Sequence, residues 1–375
     1  MTSPQVRTLI IVIVLFISLL FLLSNREAFS PSKLTSSSSS SSLNISLHND
    51  TTTTSALPPI PNIVNLVYLV DDESTTKTLR FEFSHYLSVY AAWHHQRPSS
   101  IILHTNVDPA VIEKARSGIS GKWSRLLLET PGMEIRKVVR PDKTARGDTI
   151  GPMEHKSDFV RVEAVREVGG LYIDFDVFLL RPLHVLLRAG FGAVVGREAG
   201  DDINSGVFLT RPRGLLISQW ADDMSRLYDG SWLSHSNHAL TRIAERLVGE
   251  ASGEALIMER NAFAPGGWGN EDYDRLWAVH DEDDGGAGGG AGGAGSAGDG
   301  NEASPPSWAV DWSRTYMLHA FMPYRAGYEP HGFHRLHPRY VLERRSNFAR
   351  ALYPLVRMME EDGLVGRNDT FDGRE

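Results

Sequence analysis

The chain has 375 residues, 41% of them hydrophobic and 22% charged, which is ordinary for a globular protein. A net charge of −8 argues against a broad nucleic-acid-binding surface, so no nucleic acid is expected among its partners. With no cysteine in the chain, disulfide bracing and thiol redox chemistry are excluded.

Residues 8–23, "TLIIVIVLFISLLFLL", form an uninterrupted apolar run between Arg7 and Arg26. The run is slightly shorter than the roughly 20 residues of a full bilayer crossing. It is long for a signal-peptide core, and no A-x-A-like cleavage site follows. It therefore reads as a signal anchor behind a cytoplasmic tail, residues 1–7, with the bulk of the chain lumenal. Residues 24–57 are rich in Ser and Thr, too poor in apolar side chains to fold, and predict a disordered stem. Asn44, Asn49 and Asn368 each open a glycosylation sequon.

Folded sequence is expected over 58–375. Residues 63–70 are nearly all apolar and predict a strand buried on both faces. A helix over about 79–96, a strand at 100–105, a helix from Pro109 and a strand at 133–139 follow. This alternation predicts an α/β architecture with a mostly parallel sheet. In 154–168, Phe159, Val162, Val165 and Val168 make one helical stripe, closed by Gly169 and Gly170. Residues 191–198 and 204–213 read as further strands. A glycine-rich insertion at about 281–305, densest at 285–300, has no packing capacity and predicts a flexible segment. His331, His334 and His337, flanked by Pro330 and Pro338, read as a polar loop.

After the glycine pair comes "LYIDFDVF". Strand alternation sets Leu171, Ile173, Phe175 and Val177 on one face and Tyr172, Asp174, Asp176 and Phe178 on the other. Two carboxylates on one face resist joint ionisation unless a cation lies near, and Mg²⁺ or Mn²⁺ with oxygen ligands suits them. A solvated edge-strand face is the plainer alternative. Asp158 and Arg161, at i and i+3, share a helix face that can turn toward these aspartates. They make either an internal ion pair or a polar clamp for a ligand's oxygens.

"HKSDFVRVEAVREVGGLYIDFDVFLLRPL", residues 155–183, closely resembles the core of glycosyltransferase family 32, the sugar-binding region containing the DXD motif. Lys156, Ser157, Asp158, Arg161, Gly169, Gly170, Tyr172, Asp174, Asp176 and Pro182 all fall in the family's register. "IPNIVNLVYLV" is similar to the family's first strand, with Asn65 and Tyr68 in place of the usual His and Trp. "NSGVFLTRP" resembles a later strand and supplies Asn204; "YMLHAF" resembles the strand that supplies a metal-coordinating histidine, here His319.

The resemblance implies a GT-A-type, Rossmann-like nucleotide-sugar-binding fold, with a mixed, mostly parallel sheet and flanking helices. With the apolar N-terminus, it implies a single-pass type II Golgi membrane protein whose lumenal domain transfers a hexose with retention of configuration. The donor would be GDP-mannose, UDP-galactose or UDP-glucose, the acceptor a glycan or glycolipid, the cofactor Mn²⁺ or Mg²⁺. Asp176, Asp174 and His319 are the implied metal ligands, with Asp176 the principal one. Asp158, Arg161, Tyr172, Asp174 and Tyr68 are implied donor contacts, and Asp176 and Asn204 the implied catalytic residues. Front-face attack guided by the leaving phosphate accounts for retention, because no nucleophile-and-acid carboxylate pair is evident. Two rival classes are a non-catalytic glycan-binding Golgi protein and a haloacid-dehalogenase-type phosphohydrolase. The second leaves the K-x-S-D-x-x-R helix unexplained.

Overall fold

The computed structural model describes residues 57–250, 253–281, 305–323 and 327–374, all within one unit spanning Ser55–Glu375. The expected anchor at 8–23, the stem, and most of the glycine-rich insertion lie outside the described residues. The expected single-pass Golgi placement is corrected: among the described residues no helix is long and apolar enough to cross a membrane.

Seven strands form one sheet in the order β3-β2-β1-β4-β7-β6-β8. These are β1 (Ile63–Tyr68), β2 (Ser100–Thr105), β3 (Met133–Lys137), β4 (Gly170–Ile173), β6 (Ala193–Arg197), β7 (Ile203–Thr210) and β8 (Ala255–Met258). Neighbours in β3-β2-β1-β4 run parallel, as do β6 and β8. Strand β7 runs antiparallel to both β4 and β6, so it is the one reversed strand. The sheet is mixed and mostly parallel, as the alternation of strands and helices predicts.

Period-two alternation sorts side chains between two cores. Val64, Leu66, Ile101, Leu103, Leu171, Ile173, Val207 and Leu209 pack on one face, against helices α1 (Phe83–Gln96), α2 (Pro109–Arg116) and α3 (Lys122–Leu128). Val67, Tyr172, Ala193, Val195 and Phe208 pack on the other, under α4 (Met153–Val168) and, further along the chain, α6 (Leu215–Leu227) and α7 (Asn237–Glu250). A four-residue helix, α5 (His184–Leu187), precedes β6. Helix α1 begins at Phe83 rather than near 79. Glu82 caps it, receiving the His85 backbone N–H while its own N–H donates to His85 Nδ1 at 2.9 Å. Phe81 is spent instead on Ser124, whose Oγ accepts its backbone N–H.

The larger correction concerns the aspartate strand. Residues 171–178 are not one strand: β4 ends at Ile173, the chain turns, and β5 (Val177–Leu179) begins a separate two-stranded sheet with β9 (Met317–His319). The turn closes with the Val177 N–H donating to the Asp174 carbonyl at 3.1 Å. Alternation in the sequence runs through this turn unbroken because Phe175 and Val177 are both apolar and both find packing, so periodicity alone could not mark the break.

Candidate functional site

Asp174 and Asp176 sit in the turn just past the carboxyl end of β4. That strand lies between β1 and β7, where the strand order reverses away from the β1-β2-β3 run, the switch point at which ligands of open α/β sheets bind. The approach is built tightly. Gly169 and Gly170 both have positive φ, 68° and 100°. A Cβ on Gly169 would stand 2.5 Å from Pro212 Cδ, and one on Gly170 would strike the Ile63 carbonyl. The Asn65 amide secures the same segment, donating to the Gly169 and Leu171 carbonyls at 3.0 and 3.3 Å.

Asp174 shares a face with Tyr172 and turns toward α4. Its Oδ1 lies 3.3 Å from Arg161 Nη2 and accepts the Tyr172 hydroxyl at 2.6 Å. Arg161 also pairs with Asp158 at 3.1 Å, donates to the Ser205 carbonyl at 3.0 Å and lies over the Tyr172 ring. Asp158 is held from its other side by His235 Nε2 at 3.0 Å. The i, i+3 pair thus forms an internal ion pair and also reaches the D-x-D turn. Burial opposes the Arg161 charge, but Asp174, Tyr172 and Asp158 outweigh it and hold its pKa above the ordinary value. Burial pushes the Asp174 carboxyl up, Arg161 pulls it back in part, and Asp176 pushes it up again. A 26% exposed Asp174 side chain keeps this strained charge in reach of a ligand.

The third member arrives from far along the chain. Strand β9 pairs with β5 in a register that sets His319 opposite Val177, and the Ala320 N–H donates to the Asp176 carbonyl at 2.9 Å. His319 Nε2 lies 3.4 Å from Asp176 Oδ1. One ligand atom each from Asp174, Asp176 and His319 falls within 4.8 Å of the others, the one such triad among the described residues. Two carboxylate oxygens and an imidazole nitrogen at this spacing fit a divalent cation.

The orientation of that imidazole follows from obligate donors. The Gly206 N–H donates to Asn204 Oδ1 at 2.8 Å, which fixes the amide with oxygen toward Gly206 and nitrogen toward Glu198. His319 Nδ1 faces the same Oδ1 at 3.1 Å, so a neutral imidazole carries its proton on Nδ1. The Nε2 lone pair is then directed at the aspartates, the arrangement that outer-shell partners impose on metal-ligating histidines. Asn204, expected as a catalytic residue, has both ends of its amide engaged in this way. Glu198 completes the support, taking N–H groups from Asn204 and, at 2.9 Å, from Asn237. Burial raises the Glu198 pKa, with His319 and the two amides opposing. Asn237 in turn accepts the Ser205 hydroxyl at 2.7 Å.

Gly206 lies directly beneath the triad. Strand β7 passes antiparallel to β4, and the Asp174 N–H donates to the Gly206 carbonyl at 2.9 Å. A Cβ at Gly206 would stand 2.6 Å from Asp174 Oδ2 and 2.8 Å from His319 Cε1. Tyr68, at the end of β1, joins no part of the triad directly; its ring packs edge-on against Phe81 and Phe175, the residue between the aspartates. Glu198, Gly206, His235 and Asn237 were not legible as site residues.

A mixed α/β sheet that gathers two carboxylates and an oriented imidazole at a switch point defines a candidate cation-dependent ligand-binding protein. Residues 124–191 match the family described as "Glycosyltransferase sugar-binding region containing DXD motif", whose members typically bind a divalent metal. Glucan organizing enzyme 1 of Cryptococcus neoformans var. grubii is 24% identical over 223 residues, 56% of each chain, so the match spans little more than half of that curated relative. Among solved structures, PaToxG glycosyltransferase aligns at a TM-score of 0.37 and 14% identity, covering 51% of this chain and 71% of that one. The apo form of the glycosyltransferase GlyE of Streptococcus pneumoniae TIGR4 aligns at 0.32 and 15%, covering 54% and 46%. The D-x-D segment lies inside the matched region, and over that region the chain is similar to the D-x-D glycosyltransferases of family 32.

Proposed function

We propose that this protein is a metal-dependent, retaining glycosyltransferase of the GT-A type that moves a hexose from a nucleotide sugar to a glycan or glycolipid acceptor. The observation that carries this reading is the convergence of Asp174, Asp176 and His319 at the carboxyl edge of the sheet, on the D-x-D turn of the family match. Asp176, buried beside His319, is the principal metal ligand, with Asp174 and His319 completing the set. The imidazole favours a first-row ion, so Mn²⁺ suits the set better than Mg²⁺. When bound, that ion offsets charge on the leaving diphosphate.

The remaining roles belong to the chain itself. Arg161 holds Asp174 in place and balances its charge; Asp158 and the Tyr172 hydroxyl fix Arg161 and Asp174 in turn. Asn204 acts as a positioning residue that keeps the His319 lone pair aimed at the aspartates. The nucleoside lies in the crevice between the ends of β1 and β4, where the Tyr68 ring and Phe175 offer an apolar wall. Glu198, whose two oxygens both accept amide N–H groups, is a support rather than a nucleophile, consistent with front-face attack.

A donor screen tests this reading: GDP-mannose, UDP-glucose and UDP-galactose, with and without Mn²⁺, read by nucleotide release. Release from one donor that depends on the ion is the expected result. A protein that binds sugars without the ion and turns over none of the three donors would be a glycan-binding module instead.

A further inference from the structure

Beyond the cation site, two exposed tryptophans remain without a role, Trp232 and Trp268, and only the second is linked to the triad. Trp268 is 48% exposed, on the loop between α8 (Arg260–Phe263) and α9 (Asn270–Trp277). The loop is braced rather than loose. Arg260 donates to the Gly266 carbonyl at 3.0 Å and pairs with Asp272 at 3.3 Å, while Arg275 donates to the Pro265 carbonyl at 3.1 Å. Gly267 has no room for a side chain: an added Cβ would meet the Asp272 carboxylate and lie 3.1 Å from Ala199 Cβ.

The indole is also tied to the triad. Its ring packs on Phe321, centroids 4.6 Å apart, and Phe321 stacks nearly parallel on the His319 imidazole at 3.9 Å. Phe321 holds this place with a left-handed backbone, φ 44°, an unfavourable conformation for a bulky residue and one that the surrounding contacts must enforce. A chain of aromatic contacts, stacked at His319 and tilted at the indole, therefore runs outward from a candidate metal ligand and ends in half-exposed Trp268.

We infer that Trp268, supported by Phe321, is the platform on which the acceptor's sugar ring stacks; this rests on the glycosyl-transfer reading above. The two aromatic walls lie on opposite flanks of the triad. Tyr68 and Phe175 stand on the β1 side, while the Trp268 loop packs against Ala199, just past β6, on the far side of β4 and β7. A donor with its diphosphate at the triad and its nucleoside toward β1 presents its sugar toward β6, where the acceptor must enter. The weakly positive C–H face of a pyranose suits the negative face of an indole.

The test uses the full chain with Mn²⁺, the three nucleotide sugars, and methyl α-mannoside, methyl β-glucoside and methyl β-galactoside as acceptor probes. Trp268→Ala should raise the KM for the active probe at least about fivefold, the usual cost of truncating an anchoring tryptophan. Donor KM should move much less, Trp268→Phe should restore most of the acceptor affinity, and Trp232→Ala, at the other exposed tryptophan, should change neither. A second arm follows the indole N–H resonance of ¹⁵N-labelled protein that is missing in Trp268→Phe, and expects it to shift when a probe is added. An unmoved acceptor KM, an equal rise in donor KM, or a resonance that ignores all three probes overturns the platform. A wild-type protein that turns over no donor would instead overturn the glycosyl-transfer reading, and the resonance would still decide the platform.

Discussion

The two sides of the candidate centre are built on different physical principles. On the carboxylate side, Asp158, Asp174, Arg161 and Tyr172 lie within one helix-turn-strand segment, and the problem solved is charge: a buried guanidinium balances the two carboxylates. On the imidazole side, His319, Asn204, Glu198 and Asn237 come from three separated segments, with Glu198 and Asn204 on one hairpin, and the problem solved is direction: neutral amides fix which ring nitrogen faces the aspartates. Charge compensation tolerates small displacements, whereas a lone pair must point correctly.

That contrast predicts where the molecule breaks. Arg161→Ala should have the largest effect, lowering metal-free stability by about 3–5 kcal/mol in urea melts, because it strands Asp158 and Asp174 without their buried partner. Full stability with weakened donor binding would make Arg161 a ligand clamp rather than a brace. Asp176→Asn should cost about 10²–10³ in donor turnover while leaving metal-free melting unchanged or raised, since one of two crowded charges is gone. Near-normal turnover at low Mn²⁺ would remove Asp176 from the cation site.

A third prediction concerns the floor of the carboxylate side. The Asn65 amide nitrogen is spent on two carbonyls, so its oxygen faces His104 Nε2 at 3.0 Å and that nitrogen must carry the proton. Burial, with Arg136 across the strand, depresses the His104 pKa from 6.5 to about 4. The unfolded chain therefore binds a proton that the fold refuses. This contribution is complete above about pH 6.5 and lost as the pH falls toward 4, about 3 kcal/mol in all. His104→Gln keeps the donor and should flatten the stability profile across that window; an unchanged slope would reject the assignment. The smallest expected effect is on the directional side. Asn204→Ala should weaken Mn²⁺ binding about 10–100-fold by calorimetry without donor. Unchanged affinity would mean that β9 alone orients His319.

The carboxylate side was largely legible in the sequence because its information is local: Asp158, Arg161 and the D-x-D fall on helical and strand spacings within one short segment. The strands β1 and β2 were legible for the same reason, each a compact, mostly apolar run. The break after Ile173 was hidden because an alternating pattern continues through a turn whose apolar residue also packs. His319 was reached only through resemblance, since a three-residue strand leaves almost no periodic signal. Glu198, Asn237 and His235 were invisible because pairings such as Asp158 with His235 depend on which distant segments meet, and no local spacing encodes that.

The β5–β9 ladder has a consequence for the order of events in biogenesis. Its register places His319 beside the aspartates only when the C-terminal strand has docked, so a chain emerging N-terminus first displays its carboxylates long before the imidazole exists. Until then, only two of the three candidate ligands, Asp174 and Asp176, are in place. Once β9 pairs, a cation bound across all three joins early and late parts of the chain, stabilising the finished fold in proportion to ion concentration over affinity. If the triad holds a cation, ion capture would act as a latch that closes only after β9 has been made and docked.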